Sequence, residues 1–350
     1  MSGRRVVVVV ATPIDADLAV SIGAVDDRLE VLFQPDLLAP PRFACDHRGI
    51  DGFHRTDEQE RRWQAMLSRA EVLFGLPGDT GEGLAEALRT STTLRWVQAT
   101  AGGAGEQVRA AGLSDEELAR VLITRASGVH AVPLAEFAMF GLLAFTKGLP
   151  RLLDDARARR FDHYPMVELA GRGLLIVGLG SIGTEVARLA TAFGMRVTAV
   201  TRTGRSDVAN VDEVRPSRLL GDLLPTADAV VVTLPLTEET RGLIDAEAIG
   251  RMRTDAVLVN VGRGGVVDEQ ALVDALEGGR LAGAALDVYS TEPLPPDSPL
   301  WRLPNVVMSP HTAALSVHEN ERIVALFSEN LRRYLRGDDL IGRVRPALLY

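Results

Sequence analysis

The sequence predicts an α/β protein in which a doubly wound parallel sheet is joined to a smaller, flavodoxin-like α/β domain. Three observations predict it. Residues Leu174–Gly183 read LLIVGLGSIG, an apolar run that meets Gly178, Gly180 and Gly183, and helix-forming TEVARLATAFG follows. That strand–turn–helix setting is the one in which G-x-G-x-x-G holds a dinucleotide, so the larger domain reads as a Rossmann sheet. Downstream, five runs of apolar β-formers each end in a polar or glycine-rich turn. Upstream, a separate βα alternation lacks a phosphate-binding glycine turn.

Bulk properties narrow the class. A chain of 350 residues has the length of two domains. Its 46% hydrophobic and 24% charged content is that of a soluble globular protein. A net charge of −9 argues against a general binder of nucleic acid or anionic membrane, but leaves room for a local basic pocket. The single cysteine, Cys45, rules out an internal disulfide and suits a reducing cytoplasm. In its polar, loop-like surroundings it reads as structural, not nucleophilic. The opening MSGRRVVVVVATP holds an apolar run of only about six residues, closed by Pro13, which fits a buried strand and not a signal core or a membrane span. The histidines are scattered without ligand spacing, so no metal site is expected.

Taken in order, Val6–Ala11 is a short β-branched run expected to be a buried parallel strand. Val31–Phe33 is a candidate second strand, and residues 34–57, rich in Pro, Asp, Arg and Gly, read as loop. Helix composition at Glu58–Arg69 and Leu84–Arg89 alternates with strand-like Glu71–Gly75, Leu94–Gln98 and Val121–Thr124. The glycine cluster in QATAGGAGEQV (98–108) follows a strand and frees backbone N–H groups to face a ligand, or serves only as a flexible turn. A long apolar helix is expected over Val132–Leu149, continued by charged, amphipathic Leu152–Arg160, and His130 just before it reads as a cap or loop residue. In the second series the strands are Arg196–Val200, Ala229–Leu234, Ala256–Val261, Leu281–Val288 and Asn305–Met308, with a helix from about Asp268 to Leu276. A last amphipathic helix, Val317–Arg336, leads out of this series and has the first domain as its natural partner.

Within the glycine turn each position has its own task. Gly178 permits the tight turn, Gly180 lets a pyrophosphate approach, and Gly183 lets the helix pack close to the strand. The free N–H groups at the helix start, around Ser181 and Ile182, then hold phosphate oxygens.

Five segments, GLGSIG (178–183), VVVTLPLTEETRGLID (230–245), LVNVGRGGVVDEQAL (258–272), ALDVYSTEPLP (285–295) and LPNVVMSPHTAA (303–314), resemble the D-isomer-specific 2-hydroxyacid dehydrogenases in family order. Glyoxylate/hydroxypyruvate reductases and phosphoglycerate dehydrogenases are the members it looks most like. The resemblance covers most of residues 172–314, while the first ~125 residues match mainly in pattern. It implies that Arg263 binds and activates substrate, that His311 exchanges the proton and that Glu292 orients His311. The physics is consistent. A planar guanidinium pairs with the carboxylate of a 2-oxo acid and polarises its carbonyl. Hydride addition puts charge on the carbonyl oxygen, which calls for a proton donor. A carboxylate at the far nitrogen of an imidazole fixes its tautomer and favours its charged form. Glutamate at 292, where formate dehydrogenases carry glutamine, points away from formate.

The resemblance also places Asp287 at the nicotinamide carboxamide, and Thr233, Leu234, Pro235, Thr240 and Val261 along the cofactor. Pro235 also has a plain turn-shaping role open to it, and Thr240 a capping one. At the end of the second strand NAD-preferring members carry an acid for the ribose hydroxyls. Here that position is Thr201, followed by Arg202, Thr203 and Arg205, which would welcome a 2′-phosphate. NADP is therefore expected over NAD. In the substrate loop Thr100, Ala101, Gly102 and Gly103 are small, which suits backbone binding of a carboxylate. His47, Arg48 and His54 read as solvated loop residues.

The expected organisation is a substrate domain of residues 1–127 and 312–350, with a dinucleotide domain of 128–311 inserted into it, hinges near Gly128 and His311, and a cleft that closes on the substrate. The partners expected are a small 2-oxo or 2-hydroxy acid and, from the resemblance, a second copy of the chain in a homodimer to which helix 132–149 contributes; no nucleic acid or membrane partner is expected. No regulatory extension follows Tyr350, which weakens the regulated phosphoglycerate dehydrogenase reading but not the short form. Two alternatives stand beside the reductase: a phosphoglycerate or phosphonate-type dehydrogenase, and a non-catalytic NAD(H)-sensing, corepressor-like protein.

Overall fold

The structure, a computed structural model, describes residues 4–344. The chain divides into two compact units, one running up to His130 and resuming at Leu315, the other spanning Ala131–Ala314. In the first, β1 (Val6–Val10), α1 (Ala16–Gly23), β2 (Leu29–Leu32), α2 (Asp57–Ser68), β3 (Val72–Phe74), α3 (Gly81–Thr90), β4 (Trp96–Gln98), α4 (Gly105–Ala110), α5 (Asp115–Arg120) and β5 (Leu122–Thr124) follow in order. The five strands form a parallel sheet ordered β2-β1-β3-β4-β5, the flavodoxin order. Val8, Val9 and Val10 of β1 are fully buried because parallel strands are covered on both faces.

In the second unit α6 (Ala131–Thr146), α7 (Leu149–Ala158), β6 (Gly173–Val177), α8 (Ser181–Ala192), β7 (Arg196–Thr201), β8 (Glu213–Pro216), α9 (Leu220–Leu223), β9 (Ala229–Val232), α10 (Ala246–Arg251), β10 (Val257–Asn260), α11 (Glu269–Glu277), β11 (Gly283–Leu286) and β12 (Val306–Met308) form a seven-stranded parallel sheet ordered β12-β11-β10-β9-β6-β7-β8. The chain winds outward from β6 in one direction and from β9 in the other, so the topological switch point lies between those two strands. After Ala314 the chain returns to the first unit as α12 (Glu319–Arg336). Phe327 of α12 stands edge-on to Phe74 of β3 at 4.8 Å and lies 4.9 Å from Trp96 of β4. Each such aromatic pair adds about 1 kcal/mol beyond its burial.

Several expectations need correction. The apolar stretch after residue 131 is not one continuous helix. Gly148, at φ 66°, ends α6, and α7 departs at 58°. No single helix among the described residues is long and apolar enough to cross a membrane. The apolarity of α6 serves the core: Leu134, Ala135, Ala138, Met139 and Leu142 pack with Val259 and Ala285. Helices α1, α4, α5, α9 and α10 and strand β8 are not predicted by the sequence because they are short. Strand β8, EVRP, is also a polar edge strand that ends in proline, so it carries no apolar signal.

Candidate active site

The carboxyl ends of β6, β7, β9, β10, β11 and β12 carry the sequence-predicted residues of the second unit. Gly178 closes β6 at φ 106°, where a side chain would meet Leu234 Cδ2 at 2.8 Å and Thr233 Oγ1 at 3.0 Å. Thr233, just past β9, donates its hydroxyl to the Gly178 carbonyl at 2.7 Å and so ties the two sides of the switch point together. A Cβ on Gly183 would stand 2.1 Å from the Gly178 carbonyl oxygen, so α8 is packed hard against the turn. Gly180 differs from both. Nothing lies within 4 Å of its Cβ position, and as N-cap of α8 it offers no side-chain acceptor to the helix N–H groups. An open cradle beside unengaged helix N–H groups fits a pyrophosphate.

The other residues read as cofactor contacts fall into three groups. Ser181 is exposed at the first turn of α8, and Ile182 is partly buried against the core. Thr201 accepts the Gly204 N–H at 3.0 Å, and Gly204, at φ 72°, packs on Pro216. This shapes the TRTGR turn and leaves Arg202, Thr203 and Arg205 exposed, with no ion pair to either arginine among the described residues. Pro235 is exposed, whereas Thr240 spends its hydroxyl on the Pro235 carbonyl at 2.6 Å and accepts the Thr237 N–H at 2.8 Å. Thr240 therefore closes a turn. Val261 is 2% exposed, so only its backbone can face a ligand.

Arg263 projects from the turn after β10. The buried Asn260 brackets this turn, accepting the Gly262 N–H at 3.0 Å and donating to the Arg263 carbonyl at 3.1 Å. Glycines flank the arginine for a steric reason. A Cβ at 262 would lie 2.5 Å from the Leu234 carbonyl oxygen, and one at 264 would lie 1.9 Å from the Tyr289 carbonyl. The turn is wedged between two neighbouring strand ends, which fixes where the guanidinium starts. One of its N–H groups donates to the Gly262 carbonyl at 2.8 Å.

Glu292 and His311 are brought together. His311 Nδ1 lies 2.6 Å from Glu292 Oε2, and since a carboxylate oxygen accepts, Nδ1 donates and Nε2 is left for other work. The other glutamate oxygen accepts the Tyr289 N–H at 3.0 Å. His311 sits at φ 53°, a left-handed conformation that is uncommon outside glycine, so its surroundings must impose it. Asp287, 1% exposed, accepts the N–H groups of Thr312 and Ala313 at 3.0 and 2.9 Å, and Tyr289 donates its hydroxyl to the Ser309 carbonyl at 2.9 Å. Burial first, and then Asp287, push the Tyr289 hydroxyl up to about 12, so it stays a donor at neutral pH. Sequence reasoning missed Asn260 and Tyr289. The signal for each was a polar group inside or just after an apolar strand.

In the first unit the Thr100–Gly103 loop follows β4. The Thr100 side chain is buried and its hydroxyl points to Asp79 Oδ1 at 3.4 Å, so the backbone is what the loop presents. Burial pushes the Asp79 carboxyl up. His47 is not solvated, contrary to expectation. It is 8% exposed, with Nε2 2.8 Å from Asn320 Oδ1. His130 also has a specific partner, Glu319 Oε1 at 3.2 Å from its Nε2. Among the described residues no cluster of His, Cys, Asp and Glu is arranged to hold a metal ion.

An open glycine cradle at the switch point and an imidazole–carboxylate pair at other strand ends of the same sheet are features that a nucleotide-dependent oxidoreductase would need. The comparisons narrow this. Residues 139–313 match the model of the D-isomer specific 2-hydroxyacid dehydrogenase NAD-binding domain. A glyoxylate reductase of Korarchaeum cryptofilum is 39% identical over 227 residues, covering 62% of this chain and 67% of that protein. A D-3-phosphoglycerate dehydrogenase of Mycobacterium tuberculosis is 35% identical over 327 residues, covering 89% of this chain but 58% of that protein. The solved structure of a D-isomer specific 2-hydroxyacid dehydrogenase from Xanthobacter autotrophicus, in complex with NADPH and MES, aligns with a TM-score of 0.76 at 28% identity, covering 99% of this chain and all of the other. The chain belongs to the D-isomer specific 2-hydroxyacid dehydrogenase family, whose members are NAD(P)-dependent oxidoreductases.

Proposed function

We propose that the protein reduces a small 2-oxo acid, of the glyoxylate or hydroxypyruvate kind, to a D-2-hydroxy acid, with NADPH preferred. The carrying observation is the 2.6 Å contact of His311 Nδ1 with Glu292, which turns Nε2 into the working nitrogen. When bound, the dihydronicotinamide supplies the hydride. The Arg263 guanidinium pairs with the substrate carboxylate and draws charge onto the carbonyl oxygen. His311 Nε2 delivers a proton to that oxygen and takes it back in the reverse direction. Glu292, steadied by the Tyr289 N–H, holds the ring and balances its charge. Gly178, Gly180, Ser181, Ile182 and Gly183 hold the pyrophosphate, while Thr201, Arg202, Thr203 and Arg205 hold the ribose and its phosphate. Thr233, Leu234, Pro235, Thr240, the Val261 backbone and Asp287 line the nicotinamide end. Asp287 already gives one oxygen to the Thr312 and Ala313 N–H groups. Thr100, Ala101, Gly102 and Gly103 bind the substrate through backbone groups.

Two arginines of the TRTGR turn with no ion pair among the described residues support the NADPH preference. A panel of glyoxylate, hydroxypyruvate, pyruvate and 3-phosphoglycerate, each with both cofactors in the matching redox state, tests the whole reading. A kcat/KM at least tenfold higher with NADPH is the expected result. A tenfold advantage for NADH would sink the cofactor assignment. Turnover of 3-phosphoglycerate alone would favour the phosphoglycerate dehydrogenase reading, which the match over 89% of the chain keeps in play. Tight cofactor binding without turnover would favour the sensor.

The protein is further proposed to be a homodimer. Phe140 on α6, Leu152 and Leu153 on α7, and Phe161, which is 91% exposed, are apolar side chains facing solvent in the second unit. Exposed apolar groups so close in sequence are commonly covered by a partner. Light scattering is expected to give twice the chain mass, and a single chain mass would remove this reading.

A further inference from the structure

We propose that His130, carried by the buried carboxylate of Glu319, supplies the charged N–H that holds an anionic substrate at the Thr100–Gly103 loop. This rests on the dehydrogenase reading, because it takes the carboxylate of a 2-oxo acid as the ligand. The loop itself has no charge to offer. Between Gln98 and Gly105 no side chain is ionisable, and the Thr100 hydroxyl is turned to Asp79. A cation must come from a neighbour, and His130 stands against the loop. A Cβ added to Gly102 would lie 3.2 Å from His130 Nδ1 and 3.9 Å from its Cε1, so the absence of a side chain at 102 lets the ring approach.

The far side of the ring is equally specific. Nε2 lies 3.2 Å from Glu319 Oε1. A carboxylate oxygen only accepts, so Nε2 carries a hydrogen and Nδ1 is the nitrogen on the loop side. Glu319 is 3% exposed, and its second oxygen is buried with no partner in hydrogen-bond geometry among the described residues. A carboxylate removed from water in this way demands a countercharge nearby. His47 is the other imidazole at hand, with Nδ1 4.0 Å from the same Oε1, but its Nε2 is already committed to Asn320. The Cys45 thiol also lies beside Glu319, and burial, with Glu319 adding to it, pushes it up to about 11, so it stays a neutral thiol and balances no charge. Asp46 is engaged by Arg42, and Arg125 donates to the Gly102 carbonyl at 3.2 Å. The loop is thus held by one cation through its carbonyl and approached by an imidazole whose Nδ1 has no hydrogen-bond partner among the described residues.

The test is steady-state kinetics with NADPH and glyoxylate on His130→Ala and Glu319→Gln, with thermal unfolding and NADPH affinity measured alongside. A charge-assisted hydrogen bond lost to the substrate is expected to raise the KM for glyoxylate about tenfold or more. The kcat and the affinity for NADPH should stay within about threefold. An unchanged KM, or a matched fall in kcat, cofactor affinity and melting temperature, overturns the proposal in favour of a purely structural pair. If His130→Ala does not fold, His130→Asn keeps an N–H without the charge, and a KM equal to wild type in that variant overturns it as well. The two readings fail differently. A wild type inert toward every 2-oxo acid removes both, whereas an active wild type with a normal KM in the His130 variants removes only this one.

Discussion

Replacing His311 with asparagine is expected to lower kcat for 2-oxo acid reduction about 1,000-fold, within the range that a positioned acid–base group contributes. The affinity for NADPH should be unchanged, because among the described residues the His311 ring is hydrogen-bonded to Glu292 and to none of the glycine-turn residues. The size follows from the geometry. Nδ1 is committed to Glu292 Oε2 at 2.6 Å, so all proton exchange falls to Nε2. Asparagine keeps a hydrogen-bonding group at this left-handed position, where asparagine is tolerated better than most residues. Loss of activity therefore reports loss of the proton and not collapse of the turn. Glu292→Gln should fall between the two, since an amide still accepts from Nδ1 but no longer balances an imidazolium. The measurement is kcat at saturating glyoxylate, with cofactor binding followed by fluorescence. Activity retained in His311→Asn would end the proton-transfer assignment.

Much of this site is legible in the amino-acid sequence, and the reason is physical. Turns that bring backbone close to a phosphate or to another strand end need glycine, and glycine is visible in a string of letters. The spacing of Gly178, Gly180 and Gly183 announces three different steric demands, and the structure has all three: a residue at positive φ, an open cradle, and a helix so close that a Cβ at 183 would stand 2.1 Å from the Gly178 carbonyl oxygen. The apolar strands are equally plain, because parallel strands buried on both faces read as unbroken Val, Ile and Leu. Helices of about eight residues or fewer are not legible, since a helix such as α4 or α10 is too short to show a period.

What the sequence does not show is how polar side chains pair across long separations. His130 and Glu319 are 189 positions apart, and His47 and Asn320 are 273 apart. A lone histidine in a polar stretch gives no sign that it will be buried. His47, in a stretch rich in Pro, Asp and Arg, reads as solvated for that reason, and what the structure adds is its side-chain bond to Asn320 of α12 and the bond of the Thr12 hydroxyl to its carbonyl. Tyr289 is hidden differently. It lies inside the ALDVYSTEPLP segment, but its work is done by its backbone N–H and its hydroxyl on two separate turns, which no spacing rule encodes.

Arg263 carries the second large expectation. Arg263→Lys is expected to cut kcat/KM for glyoxylate at least 100-fold, and Arg263→Ala more. A guanidinium presents a planar pair of donors to a carboxylate, and an ammonium keeps the charge but not the fork. Two charge-assisted hydrogen bonds at about 1.5–3 kcal/mol each set the scale of the loss. The glycines around it make a separate demand, which Gly264→Ala isolates. That variant keeps every functional side chain, yet its methyl would stand 1.9 Å from the Tyr289 carbonyl and 2.6 Å from the Ser290 nitrogen. Both neighbours are backbone and cannot swing aside, so the β10 turn must shift. Since Tyr289 also holds Glu292, the shift reaches the His311–Glu292 pair. Gly264→Ala should thus lose kcat as well as substrate affinity, whereas Arg263→Lys should keep a normal melting temperature. If Gly264→Ala instead behaves like wild type, the claim that glycine is there for close backbone approach is wrong. If Arg263→Lys keeps full kcat/KM, the guanidinium is not what recognises the substrate.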